Sequence, residues 1–457
     1  MRLPLAWFKT FLFGALLMAS SVAHAAPETE PYEFTIDNGV RFVVVPDFRA
    51  PVVVHMVWYQ AGSVDEQQGK TGIAHMLEHM MFKGTDTVPA GEFSKIIARL
   101  GGQDNAFTSY DYTAYYQKIS RDNLAQAVEM ETDRMVNLNI TDEVFQPERD
   151  VVLEERNMRV DSRPISAFFE LFNKEQYKKL PYQNPIIGWR KDIENFTLAD
   201  AQDWYKRFYA PRNALVIMAG SITRDEAEWL AETYYAPLKN PEVNAIRPTI
   251  PAEPERSGPI RFEHVDERTQ LPIMAISYRA PSLHSGVAGA PKPTAEEAYA
   301  LYVLSDIMGG GTTSDLYQEL VVKQKLADSV SANYSPISRF ESTFDVVAQP
   351  KPGVTIAQLE EAILKVVESY KTKIVSEDEL DRSKTQMKSA DIFGRDDVFD
   401  TAYELGSWLT TGGTLKGYQN WLKELQTVTA EDVQKMAKRT FVDNRKATGV
   451  LRPHAKD

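Results

Sequence analysis

The sequence predicts an α+β fold built from two homologous domains. Two segments, residues 196–215 and residues 428–447, match each other at a constant offset of 232 residues. A stretch rich in proline and charge, Pro248 to Pro259, lies between them and is typical of an extended linker. Short apolar strand patterns such as Phe42–Val45 are followed by helical periodicity. Each half therefore combines a sheet with helices.

The composition is sufficient for two full-sized domains. The chain has 457 residues, 43% hydrophobic and 25% charged, which allows two sizeable cores and excludes a disordered or fibrous protein. We place the boundaries as follows: a signal peptide in residues 1–25, a first domain in 31–245, a linker in 246–258 and a second domain in 259–457.

The matching segments describe one structural unit used twice. Thr197 with Asp200, and Thr429 with Asp432, each place a threonine cap three residues before an acid, a pattern that begins helices. About ten helical residues then lead to a Lys-Arg pair, a turn and an apolar strand. The unit predicts a helix, a turn and a strand at the end of each half.

The charge and the cysteine count exclude several kinds of chemistry. The net charge of −13 is spread through the chain without a basic stripe, which argues against nucleic acid or anionic membrane as the main partner. The chain contains no cysteine. Disulfides, thiol catalysis and cysteine metal ligands are therefore excluded.

The first 25 residues have the pattern of a secretory signal. Arg2 precedes an apolar stretch centred on residues 11–17, and small residues end in Ala23-His24-Ala25. The alternative is an uncleaved membrane anchor, but Lys9 shortens the apolar run well below the roughly 20 residues that a span needs. We expect cleavage before Ala26 and a mature protein that is periplasmic or secreted, since export without disulfides suits those compartments.

The central motif is His75-Met76-Leu77-Glu78-His79. On a helix, histidines at i and i+4 share one face and can bind a single ion, with the acid at i+3 beside them. Catalytic zinc sites use three protein ligands and leave a position for water. The alternative is a pair of surface histidines on an ordinary helix, which the rarity of histidine in this chain disfavours.

A third ligand is expected from an acidic stretch further along the chain. Glu148 and Glu155 are seven residues apart, so both lie on one face of a helix. An acidic stripe is usually a solvated face, and composition alone does not decide between that and a ligand. The apolar residues Val151 and Val152 indicate a partly buried helix, where aligned acids are costly unless they meet a cation.

These residues together resemble the pitrilysin family of zinc metallopeptidases, the M16-type inverzincins. The likeness rests on the inverted His-x-x-Glu-His order and on the glutamates that follow, and it extends to residues 100–108 and to the glycine run at 309–311. It implies His75, His79 and Glu155 as ligands of one Zn²⁺ per chain, Glu78 as catalytic base and Glu148 as a supporting acid. It further implies mostly antiparallel sheets with helices on one side, forming one shell of a clam-like peptidase.

Residues 105–108 with the tyrosines after them are typical of a strand with polar and aromatic faces. For the side chains of Phe107 and Tyr115 we expect an ordinary core position. The family resemblance implies a further role for Asn105 and Ala106, continuing to Phe107, as an exposed edge where a substrate backbone adds as a strand. Such binding tolerates many peptide sequences.

The chain departs from the family in its second half. Active single-chain relatives carry an arginine and a tyrosine there, where this sequence has Val321 and Asp328. Neither can stabilise an oxyanion, since valine donates no hydrogen bond and aspartate repels the charge. We therefore expect a heterodimer with a related subunit that supplies the arginine and tyrosine. The alternatives are a homodimer, with a donor such as Tyr334, and a lone shell.

The predicted function is that of a zinc endopeptidase for oligopeptides or small unfolded chains. Metal-activated water attacks the peptide carbonyl, and Glu78 transfers the proton. The alternative is a non-catalytic or partner-dependent assembly subunit, which the substitutions at Val321 and Asp328 favour. Zinc storage is a third possibility, but storage prefers closed sites with four ligands.

Overall fold

The computed structural model describes residues 29–242, 247–285 and 293–454. The predicted signal peptide, residues 1–25, lies outside the described residues, as does residue 246 at the start of the predicted linker. None of the helices in the described ranges has the length and apolarity needed to cross a bilayer.

The first half is built on a six-stranded sheet with the strand order β1-β2-β6-β3-β5-β4. Neighbouring strands run antiparallel except β2 and β6, which are parallel. β4 lies at one edge, so one side of its backbone is not paired within the sheet. The strands are β1 Tyr32–Thr35, β2 Arg41–Pro46, β3 Val52–Tyr59, β4 Gln103–Thr108, β5 Thr113–Ser120 and β6 Ala214–Gly220.

The second half repeats this order in a five-stranded sheet, β7-β11-β8-β10-β9. Only β7 and β11 are parallel, which matches the parallel pair β2 and β6. The edge strand β9 corresponds to β4. The strands are β7 Ile260–Val265, β8 Ile273–Ala280, β9 Ala327–Tyr334, β10 Ser342–Pro350 and β11 Lys446–Arg452.

The helices also correspond in order between the halves. In the first half they are α1 Ile73–Met80, α2 Glu92–Arg99, α3 Leu124–Asn137, α4 Asp142–Arg156, α5 Pro164–Gln176, α6 Arg190–Glu194, α7 Leu198–Phe208 and α8 Arg224–Leu230. In the second half they are α9 Ala295–Gly309, α10 Ile356–Ser369, α11 Glu377–Gly394, α12 Val398–Thr410, α13 Leu415–Gln426 and α14 Ala430–Thr440.

The unit predicted from the internal repeat is confirmed in both halves. The helices α7 and α14, the short 3₁₀ turns after them and the strands β6 and β11 all begin and end at the 232-residue offset. Each helix starts with the predicted capping box, in which the threonine hydroxyl accepts the backbone N–H of the acid three residues on. The repeat therefore reflects a shared structure as well as a shared sequence.

Each sheet has its own helices on one face, and a helix from the other half on its opposite face. Gly406 of α12 lies against the buried Trp58 on the first sheet, and α5 lays Phe168 and Phe172 on the second sheet beside Gly449. α5 and α12 hold the same place in the element order, so the exchange is reciprocal. These contacts unite the halves into one body.

The described part of the predicted linker, 247–258, contains no helix or strand element and is attached to both halves. Arg247 forms an ion pair of 2.9 Å with the buried Asp65 of the first half. Glu253 accepts three successive backbone N–H groups, from residues 178–180, at 2.7 to 2.9 Å. Arg256 donates to the backbone carbonyls of Arg445 and Lys446 in the second half. The segment is thus fixed by specific contacts.

Candidate metal centre

Helix α1 carries the histidine motif and is held firmly at its start. The Glu66 carboxylate accepts the backbone N–H groups of Gly72 and Ala74 at 2.8 and 3.0 Å, which satisfies donors that a helix N-terminus leaves free. Gly72 has a φ of 91° and faces Gly188, whose φ is 90°. A Cβ on either glycine would collide with the backbone of the other segment. The start of α1 is therefore locked against the loop before α6.

The structure brings the two histidines and Glu155 together. Glu155 Oε2 lies 3.1 Å from His79 Nε2 and 3.6 Å from His75 Nε2. One ligand atom from each of the three residues lies within 4.8 Å of the others. Among the described residues this is the one cluster of three or more such side chains that could hold a metal ion. Two imidazoles and one carboxylate form a donor set that fits catalytic zinc.

Glu148 lies beside this cluster and contacts a histidine rather than the shared position. Its Oε1 is 2.8 Å from His79 Nδ1, the ring nitrogen directed away from Glu155. Its other oxygen, Oε2, forms an ion pair with Lys83. Glu155 is also paired, because Arg159 lies 2.7 Å from its Oε1. Each acid therefore presents one oxygen to a histidine and the other to a cation.

Glu78 lies on the same helix and faces strand β4. The Thr108 hydroxyl donates a hydrogen bond to Glu78 Oε2. Burial raises the pKa of Glu78 above its usual value, and the Thr108 hydrogen bond partly opposes this. A carboxylate with a raised pKa beside a water site suits proton transfer near neutral pH.

The two histidines have opposite pKa shifts. Burial, together with the neighbouring His79, lowers the pKa of His75 to about 4. Burial also disfavours the charged form of His79, but hydrogen bonds to Glu148 and Glu155 outweigh it and raise its pKa to about 9. The shifts differ because His79 has hydrogen bonds to both Glu148 and Glu155.

A cavity of about 1110 Å³ opens beside these residues. Asn105, Ala106 and Phe107 of the edge strand β4 line it, and every described lining residue lies between His75 and Ile187. Tyr115 is fully buried in the core, as expected. The expectation of an ordinary core position is wrong for Phe107, which is only partly buried: its ring packs against Trp58 while the residue also borders the cavity.

Helix α4 is partly buried, as predicted, but only one of its two neighbouring valines is buried. Val152 is fully buried, whereas Val151 is 50% exposed and lines the cavity. The two neighbours project in directions about 100° apart around the helix, so the pair straddles the boundary between core and cavity. The acids lie on the cavity side of that boundary.

No described residue of the second half lines this cavity. Val321 is partly buried against the second core, and Asp328 is exposed on the edge strand β9. Tyr334, the alternative donor, is buried, and its hydroxyl donates to the Pro281 carbonyl. The three second-half positions considered from the sequence therefore contribute nothing to this chain's own cavity.

Sequence reasoning assigned no role to Lys83, Thr108 or Arg159, which contact Glu148, Glu78 and Glu155. Lys83 follows His79 by four residues and Arg159 follows Glu155 by four residues. A search for cations one helical turn after each candidate ligand finds both. Thr108 has no such signal, because its partner Glu78 is 30 residues away in the chain.

Comparison with known proteins identifies the family. Residues 41–189 match the family described as Insulinase (Peptidase family M16), and residues 195–387 match the family described as Peptidase M16 inactive domain. Over 420 residues the chain is 32% identical to the zinc protease PqqE of Helicobacter pylori, covering 92% of each. The chain belongs to peptidase family M16.

This M16 chain resembles the crystal structure of a protease from Helicobacter pylori, with a TM-score of 0.86 and 31% identity over 94% of this chain and 100% of that one. The likeness confirms the predicted family and its fold of two homologous domains. The periplasmic protease PqqL of Escherichia coli shares the fold at a TM-score of 0.75 and 19% identity. There the match covers 94% of this chain and 48% of PqqL.

Proposed function

We propose that this M16 chain is a zinc-dependent endopeptidase. The observation that carries the proposal is the convergence of ligand atoms from His75, His79 and Glu155 within 4.8 Å, with Glu78 facing the same cavity. When bound, zinc held by two imidazoles and a carboxylate brings the pKa of its water to about 7 and polarises a peptide carbonyl.

Side chains of the protein carry out the proton transfer and orient the groups that take part in it. Glu78 accepts the proton of the attacking water and returns it to the departing amine. Thr108 orients the Glu78 carboxylate through its hydroxyl. Glu148 holds His79 at Nδ1, which directs Nε2 toward Glu155.

The substrate is an extended peptide that pairs with the free edge of β4. Residues 105–107 belong to this edge strand and lie along the wall of the cavity, where the Ala106 N–H donates to Asn105 Oδ1 rather than to another strand. Strand addition derives its affinity from main-chain hydrogen bonds, so many peptide sequences are accepted. A folded protein has no free strand to offer there, which selects oligopeptides and small unfolded chains.

The working enzyme is a heterodimer with a related subunit that supplies an arginine and a tyrosine. Two observations support this: the cavity is lined only from residues 75–187 among the described residues, and Val321 and Asp328 stand at the expected donor positions. The E. coli PqqL chain contains this fold in about half its length. A homodimer is the alternative. The signal-like N-terminus supports export to the periplasm or the medium.

The second candidate function is a non-catalytic assembly subunit. It is favoured by the match of residues 195–387 to a family described as an inactive domain, and by Val321 and Asp328. The intact cluster of His75, Glu78 and His79 with both acids favours the enzyme, since an assembly role does not need a site that activates water.

The test is cleavage of a quenched fluorescent peptide by the mature chain with zinc, alone and with the related chain of the same organism that lacks the histidine motif. Glu78→Gln is compared with Glu143→Gln, an exposed acid in the first turn of α4. We expect zinc to bind in a 1:1 ratio, turnover to need the partner, and Glu78→Gln alone to abolish it.

Other results of the same assay would remove either the heterodimer or the enzyme. Robust turnover by the chain alone that Glu78→Gln abolishes keeps the peptidase and removes the heterodimer. Failure to bind zinc, or equal turnover of wild type and Glu78→Gln, rejects the enzyme and leaves the assembly role.

A further inference from the structure

The Glu148 carboxylate is shared between His79 and a lysine that the proposed mechanism does not use. Oε1 lies 2.8 Å from His79 Nδ1, and Oε2 is paired with the ammonium group of Lys83. The Glu148 side chain is 10% exposed and that of Lys83 is 28% exposed. The contact is thus largely shielded from water, where ion pairs and charge-assisted hydrogen bonds are stronger than at the surface.

Lys83 is held in place by the backbone directly after α1. Its N–H donates to the Met80 carbonyl at 2.9 Å, and the Phe82 N–H donates to the His79 carbonyl at 3.2 Å. These bonds continue the turn of the helix beyond Met80. Lys83 therefore lies in the turn that directly follows α1, and it contacts the same carboxylate as His79.

The geometry has a consequence for the imidazole. A carboxylate with one oxygen fixed by a lysine has little freedom to rotate, so its other oxygen stays on His79 Nδ1. A histidine that donates from Nδ1 presents Nε2 as its free nitrogen, and Nε2 is the atom that faces Glu155 at 3.1 Å. Without Lys83, the buried Glu148 carboxylate would lose its partner at Oε2 and would be free to rotate away from His79.

We propose that Lys83 is a positioning residue of the metal centre, which acts through Glu148 to fix the orientation and tautomer of His79. The inference rests on the proposed zinc site. Lys83 does not need to touch the substrate, although its side chain borders the cavity. Arg159 is the contrasting case: it pairs with Glu155 at 2.7 Å but is 69% exposed, so we expect a smaller effect from its removal.

The experiment measures zinc affinity by competition with a chromogenic chelator, which needs no catalysis. It uses the full mature chain and the variants Lys83→Met, Lys83→Arg, Glu148→Gln and the double variant. The matched control is Lys95→Met, which removes an exposed lysine paired with Glu92 at 2.8 Å. Melting of the metal-free proteins shows whether each variant is folded.

We expect Lys83→Met to weaken zinc binding about 10- to 100-fold, the range found when outer partners of metal ligands are removed. Lys83→Arg restores most of the affinity, and Lys95→Met leaves it unchanged. In the Glu148→Gln background, Lys83→Met adds little, because the two residues act as one unit. Where turnover is measurable, kcat falls and KM stays constant.

Three results overturn the inference. They are unchanged zinc affinity in a folded Lys83→Met protein, an equal loss with and without Glu148, and an effect confined to KM, which indicates substrate contact. A wild-type chain that binds no zinc refutes the proposed function itself. If the wild type binds zinc and is active, and Lys83→Met leaves zinc affinity unchanged, only the role of Lys83 is refuted.

Discussion

The two halves of the molecule share one architecture, yet among the described residues the candidate metal centre lies in the first half alone. Both sheets have the same strand order, and both leave an edge strand, β4 or β9, beside a cavity. In the first half that cavity holds the histidines and acids. In the second it has a volume of about 720 Å³, and Ser305, Asp306 and Met387 are among its described lining residues, which include no histidine. The fold supplies the geometry, and a few side chains decide the chemistry.

The 232-residue offset shows what replaced the acids. It carries Glu148 to Leu380 and Glu155 to Met387, both on α11 and both buried in the second core. It carries His75 to Ile307, which is buried near the end of α9. Three of the four positions, those of His75, Glu148 and Glu155, thus correspond to packing residues in the second half, where burial stabilises the fold. The fourth, His79, corresponds to the exposed Gly311.

The largest effect on zinc affinity and turnover is expected from a change at the candidate metal centre, where the two halves differ most. Glu155→Gln removes the carboxylate nearest both histidines, whereas Asp306→Asn changes an acid beside the corresponding cavity of the second half. We expect Glu155→Gln to lower zinc affinity and turnover by more than about 100-fold, beyond the range for outer partners. Zinc titration and peptide cleavage by the complete enzyme measure this.

Asp306→Asn serves as its control and should leave zinc affinity and turnover within about twofold of wild type. A comparable loss in both variants would contradict the inference that zinc binding depends on the first half and not on the corresponding cavity of the second half. Zinc retention in Glu155→Gln would mean that another residue serves as the third ligand.

The second prediction concerns the helices exchanged between the halves. A Cβ at Gly406 would lie 2.0 Å from the ring of the buried Trp58. Alanine normally favours a helix over glycine, but this overpacking should make Gly406→Ala less stable by about 1–3 kcal/mol. Denaturant unfolding measures the change. Gly394→Ala is the control, because its nearest such atom is 3.8 Å away, and it should be neutral or slightly stabilising. Equal behaviour of both variants would show that α12 can shift on the first sheet.

The histidine pair and the aligned acids could be predicted because their information is local or patterned, whereas the meeting of Glu155 with the histidines was implied only by the family resemblance. Histidines at i and i+4 must share a helix face, and two acids seven apart must share another. The repeat likewise revealed its helix, turn and strand, since capping boxes and apolar strands are short-range signals. Each of these depends on few neighbours, so sequence order is enough.

The contacts around the site and the packing of the halves against each other depend on tertiary structure, which the sequence does not show directly. Thr108 reaches Glu78 only because β4 passes beside α1, and Val151 is exposed only because the cavity opens there. The exchange of α5 and α12 between the halves has no pattern in the chain, because an apolar helix face does not specify which sheet it covers. The sequence therefore predicts the ligands better than their surroundings.

A smaller effect is expected at the repeated caps. Thr197→Ala and Thr429→Ala each remove a hydroxyl that accepts a helix N–H, which typically costs about 1 kcal/mol. Similar losses in the free energy of unfolding would confirm that the units are energetically equivalent. Serine at either position keeps the cap and should recover most of the loss. A much larger cost at Thr197 would instead point to its neighbour Asp200, which also pairs with Lys70 at 2.6 Å.

The smallest change is expected when the arginine and tyrosine of active relatives are introduced at positions 321 and 328 of the second half. Installing the missing donors as Val321→Arg with Asp328→Tyr should leave the isolated chain without turnover above background, because neither position is among the described residues that line the cavity beside His75. Peptide cleavage over a range of protein concentrations measures this, with the Val321→Ala and Asp328→Ala pair as the control. A gain of tenfold or more that grows with protein concentration would mean that these residues reach the site of a second copy, and the homodimer would replace the heterodimer. A gain independent of concentration would mean that the halves of one chain close on each other during turnover.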